Sequence, residues 1–99
     1  MHFPEIKNRK AAAQGVAKAQ CSLGEMLSFG LGATKNEVEA VKWYRKAAEQ
    51  GYASAKYGLG LMLKDGRGVT KNEAEAVNGF RMAAEQGDAG AQFHLGVML

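Results

Sequence analysis

Apolar positions along this chain recur with the spacing of a helix. Ala40, Val41, Tyr44, Ala47 and Ala48 fall three and four residues apart, as do Ala76, Val77, Phe80, Ala83 and Ala84. This predicts helices over roughly 37–50 and 73–86, each with one apolar stripe. Each opens on Asn36 or Asn72 with Glu39 or Glu75 three residues later, the reciprocal pattern that satisfies free N–H groups at a helix start. Gly51 and Gly87 stand where a left-handed residue closes a helix. Shorter helices are predicted over roughly 17–27, 53–63 and 89–99, and a first one from about Pro4 to Gln14, with Pro4 in its opening turn.

The two halves of this pattern are copies. A shift of 36 residues lays Thr34-Lys35-Asn36-Glu37 on Thr70-Lys71-Asn72-Glu73, and Ala47-Ala48-Glu49-Gln50-Gly51 on Ala83-Ala84-Glu85-Gln86-Gly87. Units of this length cannot bury an apolar face alone and must stack. The expected fold is all-α, an α/α superhelical solenoid of about 36-residue helix-turn-helix repeats. Residues 1–15 form a degenerate capping helix, followed by repeats at 16–51 and 52–87 and a partial repeat at 88–99. One departure matters: Trp43 becomes Gly79 in the next copy, where a local dent is expected and a mid-helix glycine costs about 1 kcal/mol against alanine.

Composition narrows the chemistry. The 99 residues hold a single Cys21 and only His2 and His94, too few for a disulfide framework or a cysteine/histidine zinc site. The net charge of +3 comes from the front, where residues 1–51 carry eight Lys/Arg against five Asp/Glu. Lys7, Arg9 and Lys10 read as cations stabilising the end of a helix rather than as a nucleic-acid patch, since no aromatic residues interleave them. Met1-His2-Phe3-Pro4-Glu5 lacks a secretory pattern, and the apolar run Tyr57–Leu63 is too short to span a bilayer, so a cytoplasmic setting is expected, with no membrane partner. The Gly-x-Gly segments match neither phosphate-binding fingerprint and read as interhelix turns, while Asp65-Gly66 lacks the other ligands of a calcium loop. Cys21 and His94 lie two repeats apart, too far for a nucleophile and its base. Cys21 reads as a small, partly buried hydrophobe and His94 as an isolated surface imidazole. No cofactor, metal or catalytic residue is expected.

Ala-x-Ala-x-x-x-Leu-Gly at 17–24, 53–60 and 89–96, Gly-x-Gly at 30–32 and 66–68, and Ala40-Val41-Lys42-Trp43-Tyr44-Arg45-Lys46-Ala47-Ala48-Glu49-Gln50-Gly51 closely resemble the Sel-one-like repeat (SLR) family, relatives of the tetratricopeptide repeats. The resemblance implies a non-enzymatic adaptor or scaffold for protein complexes, with a bacterial setting expected. It also implies that one stripe of the first helices lines a concave partner-binding groove. A secreted, cysteine-rich branch of the family is associated with β-lactam binding and hydrolysis, but its paired cysteines are missing here.

Position-by-position comparison of the three first helices locates that stripe. Phases 17, 19, 23, 24, 26 and 27 are invariant, whereas 18, 21, 22 and 25 vary and fall in one arc of about 120°. The candidate groove is therefore Lys18, Cys21, Ser22, Glu25, Tyr57, Leu61, Lys64, Phe93, His94 and Val97, extended by Ser28, Ser54, Gly58 and Gly90. Its mixture of apolar and charged groups suits an extended peptide or a partner helix. The last helix carries Phe93, Leu95, Met98 and Leu99 with no second helix over them, as expected of a longer solenoid's fragment, a partner-docking end or a self-associating end. In the last case the first helix of one chain would dock on the last helix of another as a homo-oligomer, against which the polar Lys7, Asn8 and Lys10 weigh.

Overall fold

The computed structural model describes residues 4–98, with side chains from Asn8 onward. Within that span six helices follow one another: α1 (Pro4–Ala13), α2 (Ala17–Phe29), α3 (Glu37–Glu49), α4 (Ala53–Asp65), α5 (Glu73–Glu85) and α6 (Ala89–Met98), with no strand among the described residues. Each helix packs on its neighbour in the chain, and α2 also touches α4 directly. The outcome is an elongated body of 45 × 24 × 19 Å, an α/α solenoid with the first helices α2 and α4 side by side.

The helix ends follow the sequence signals, with one difference. Asn36 and Asn72 cap α3 and α5, each side-chain oxygen accepting from the N–H of Glu39 or Glu75 at 3.0 Å. The reciprocal half of the predicted capping pattern is not made. The N–H groups of Asn36 and Asn72 donate instead to the carbonyls of Leu27 and Leu63, at 2.8 and 2.9 Å, which frees the two glutamates. Glu39 takes Arg9 of α1 at 2.6 Å and Glu75 takes Arg45 of α3 at 3.0 Å, so the same clasp joins successive second helices across 30 residues. At the other end of α3, Gly51 has φ +85° and the N–H of Tyr52 returns to Ala47, which closes the helix.

Alanines let the helices approach closely and aromatic rings fill what remains. Ala40, Ala47, Ala55, Ala76, Ala83 and Ala91 are fully buried, and Tyr44 and Phe80 lie among them. The invariant glycine of the Leu-Gly pair makes room for these rings: a Cβ on Gly24 would meet Tyr44 Cδ1 at 2.8 Å, and one on Gly60 would meet Phe80 Cε1 at 2.7 Å. The second Gly-x-Gly turn is pinned to the preceding repeat, with Arg67 reaching Glu37 and the Ser28 carbonyl while Gly68 lies against the Glu37 backbone too closely for any side chain. These turns are connectors between helices, as their sequence implied.

Candidate functional site

Part of the variable stripe surrounds a hollow of about 300 Å³ between the first helices. Glu25 and Phe29 of α2, Ser54, Tyr57, Gly58 and Leu61 of α4, and Asp88 and Gly90 at the start of α6 line it, with Tyr44 at its base. The apolar floor is Tyr57, Leu61 and Phe29, the last 57 % exposed. Glu25 and Asp88 place two carboxylates at its edges, and Asp88 is held there by capping α6, accepting from the Ala91 N–H at 2.9 Å. Burial raises the Tyr57 hydroxyl above its ordinary pKa, with a contribution from the Asp88 charge.

The other predicted groove residues are distributed differently. Lys18 is exposed and Ser22 half-buried, and neither lines the hollow; Lys64 pairs with Asp65 at 3.3 Å. Cys21 does not belong to an accessible groove: it is 2 % exposed, because its short side chain stays in the core cluster while Tyr57 and Phe93 at the same phase reach outward. Burial, with the nearby Glu25 carboxylate, pushes the Cys21 thiol up to about 12. Ser28 is buried too, its hydroxyl 3.4 Å from the Tyr44 hydroxyl, and Gly58 is covered by the Tyr44 ring.

His94 is not an isolated surface imidazole. Its ring stacks on Phe80 at 5.6 Å and tilts against Tyr57 at 5.5 Å, with Nδ1 3.2 Å from the Tyr57 hydroxyl and 3.1 Å from the Gly90 carbonyl. It occupies the place that Gly58 takes beside Tyr44, so it completes the packing of α6 on α5. Phe93 and Val97 are 68 and 69 % exposed on the outer part of α6, while Leu95 and Met98 are half-buried against the core; Leu99 lies outside the described residues. A Cβ on Gly96 would meet nothing within 4 Å, so the socket that Tyr44 and Phe80 fill at Gly24 and Gly60 is open here.

Phe29 and Asp88 escaped the sequence comparison because they fall just outside the compared stretch, at phases 29 and 16, although both vary between copies: Phe/Asp and Val/Tyr/Asp. Extending that stretch by one residue at each end finds them. Among the described residues, no cluster of three His, Cys, Asp or Glu could hold a metal ion, and no helix is long and apolar enough to cross a membrane. Cys21 has Glu25 at 3.5 Å for a partner and His94 has Tyr57, so the two do not act together.

This architecture is shared with solved bacterial proteins. A Sel1 repeat protein from Oxalobacter formigenes is 50 % identical over 94 % of this chain, with a TM-score of 0.83. A protective antigen of uropathogenic Escherichia coli displaying an SLR fold is 40 % identical over 95 %, with a TM-score of 0.90. Cysteine-rich protein B of Helicobacter pylori is 27 % identical over 92 %, with a TM-score of 0.82. The chain spans 40 %, 20 % and 68 % of these three proteins, respectively. A search of curated proteins found no match. The Sel1 repeat family model matches residues 17–52 and 53–88, so the four helices α2 to α5 fall into two consecutive family units, and the chain belongs to the Sel1 repeat family.

Proposed function

We propose that this chain is a protein-interaction module that holds an extended peptide or partner helix in the hollow between α2, α4 and the start of α6. One observation carries the reading: variable positions from three copies of one helix converge on a single apolar floor, edged by Glu25 and Asp88. A partner segment with an apolar side chain flanked by a cationic or N–H donor group complements it. An adaptor or scaffold role in the cytoplasm, without catalysis, belongs to the same proposal; its support is the family and the single buried Cys21. Nitrocefin turnover would overturn the non-enzymatic part.

The test is a peptide library selected against the whole chain. Selected peptides should lose at least about tenfold in affinity to Leu61→Lys and to Tyr57→Ala, the range expected of a buried anchor. Unchanged affinity for both variants removes the hollow as the binding site. A self-assembling role draws on the exposed Phe93 and Val97 and the open socket at Gly96. The α1 helix of a second copy is a poor occupant, since it carries Asn8 at the phase of Tyr44 and Phe80. Sedimentation equilibrium of the chain beside Leu95→Glu separates the two roles.

A further inference from the structure

A second hollow, of about 220 Å³, lies between α3, α4 and α5 and shares no residue with the first. Arg45, Ala48, Leu59, Glu75, Gly79 and Met82 are among its lining. Their counterparts one repeat earlier are Arg9, Ala12, Leu23, Glu39, Trp43 and Lys46. The first repeat therefore displays what this set of positions accommodates. The Trp43 indole N–H donates to Glu39 at 3.0 Å, the same carboxylate oxygen holds Arg9 at 2.6 Å, and the Lys46 ammonium stands 6.0 Å from the ring centre.

The second repeat lacks the ring but keeps the arginine, the glutamate and the two leucines around it. Arg45 still holds Glu75, Leu59 and Leu63 still supply the buried floor, and Met82 offers a polarisable thioether where Lys46 stood. Without an indole, the Glu75 side chain is 40 % exposed, against 29 % for Glu39. Gly79 thus leaves a recess with an apolar floor and an oriented carboxylate acceptor at its edge.

We propose that this recess binds an indole ring, carried on a tryptophan side chain of a partner polypeptide, with the indole N–H donating to Glu75 as that of Trp43 donates to Glu39. The ring stacks over Gly79 on the Leu59 and Leu63 floor, and Arg45 fixes the carboxylate before the ligand arrives. A phenyl ring fits the floor but has no donor for Glu75, so tryptophan is favoured over phenylalanine.

The experiment is an NMR titration of the whole ¹⁵N-labelled chain with N-acetyl-L-tryptophanamide, its 1-methylindole analogue and N-acetyl-L-phenylalaninamide. The expected result is saturable shifts at the amides of Leu59, Gly79 and Met82, with both control ligands bound at least about threefold more weakly for want of the N–H. Glu75→Ala, a change at a partly exposed position, should weaken the tryptophan ligand by a similar factor. Gly79→Trp should abolish the shifts, although a Cβ there meets the Lys56 carbonyl at 3.2 Å and that helix must yield slightly. Trp43→Gly should open a second site, read at Leu23 and Lys46. The proposal is overturned by no shift at these amides up to about 20 mM ligand, by shifts at Tyr57 and Leu61 instead, or by an affinity indifferent to Glu75→Ala. The last criterion stands even if Gly79→Trp fails to fold.

Discussion

Gly24, Gly60 and Gly96 are the same residue at the same phase of three copies of one helix, yet replacing each with alanine should not have the same effect. In a helix interior, Gly→Ala contributes about 1 kcal/mol of backbone propensity, and less in the last turn. At Gly96 nothing opposes this, since no atom lies within 4 Å of the added Cβ. Gly96→Ala should therefore stabilise by about 0.5 kcal/mol. At Gly60 the Cβ would lie 2.7 Å from Phe80 Cε1, well inside the ~3.5 Å of an ordinary carbon contact. Phe80 is fully buried and has Tyr57 at 5.8 Å and His94 at 5.6 Å, so it cannot step aside freely. Overpacking of this kind costs about 1–3 kcal/mol. With the ring so confined we take the upper part of that range, which leaves a net loss of about 1–2 kcal/mol. Gly24→Ala should behave alike, because Tyr44 is also gripped from the other side at Gly58, where a Cβ would sit 2.6 Å from its ring. Urea unfolding followed by circular dichroism at two protein concentrations measures all three: the midpoint should fall for Gly24→Ala and Gly60→Ala and rise slightly for Gly96→Ala, with the slope unchanged. Three shifts of one sign would refute the argument that the aromatic sockets dictate this glycine.

Two further outcomes follow from groups the fold perturbs. Cys21 should resist a thiol reagent at pH 8 until urea unfolds the chain. Its folded thiol titrates at about 12 against an ordinary 9.0, so above pH 9 the unfolded state sheds its proton first and stability falls with rising pH. The fall relative to Cys21→Ala should approach about 1.4 kcal/mol per pH unit in denaturant melts, and parallel curves would count against a buried thiol. Glu39 is held below the usual carboxylate range chiefly by its hydrogen bond from Arg9, then by that from Trp43. Its stabilising contribution is present above the unfolded carboxyl's pKa and is lost as pH drops through the folded value, so Glu39→Gln should flatten the acid side of the stability profile below about pH 4.5.

The helices were legible in the sequence because their signals are local: Asn36 and Asn72 at the starts, Gly51 and Gly87 at the ends, and apolar residues at helical spacing between. What escaped were relations between helices. Glu39 fits a local capping pattern, and only the placement of α1 in the stack, which brings Arg9 within 2.6 Å, shows where its carboxylate belongs. Cys21 shares a variable phase with Tyr57 and Phe93, but exposure at that phase depends on side-chain length, which periodicity does not measure. His94 reads as an isolated imidazole in one dimension, yet the stacking that explains it involves Phe80, fourteen residues earlier on another helix.

A repeat chain also separates framework from function in a way that a single-copy fold does not. Residues that must keep the stack, such as the alanines facing one another and the Arg–Glu clasp at Arg9–Glu39 and Arg45–Glu75, are constrained equally in every copy, so they reappear unchanged. A position released from that constraint is where a copy can differ without unmaking the solenoid. Both hollows arise at such positions. The first collects Glu25, Tyr57 and Leu61, phases at which the copies differ although Tyr57 itself packs against Phe80 and His94. The other exists because Gly79 breaks with Trp43 while Arg45, Glu75, Leu59 and Leu63 around it repeat Arg9, Glu39, Leu23 and Leu27. Leu59, Leu63, Arg45 and Glu75 persist because the stack needs them, and an apolar floor and an oriented carboxylate held in place for that reason around a missing ring give the recess its chemical definition.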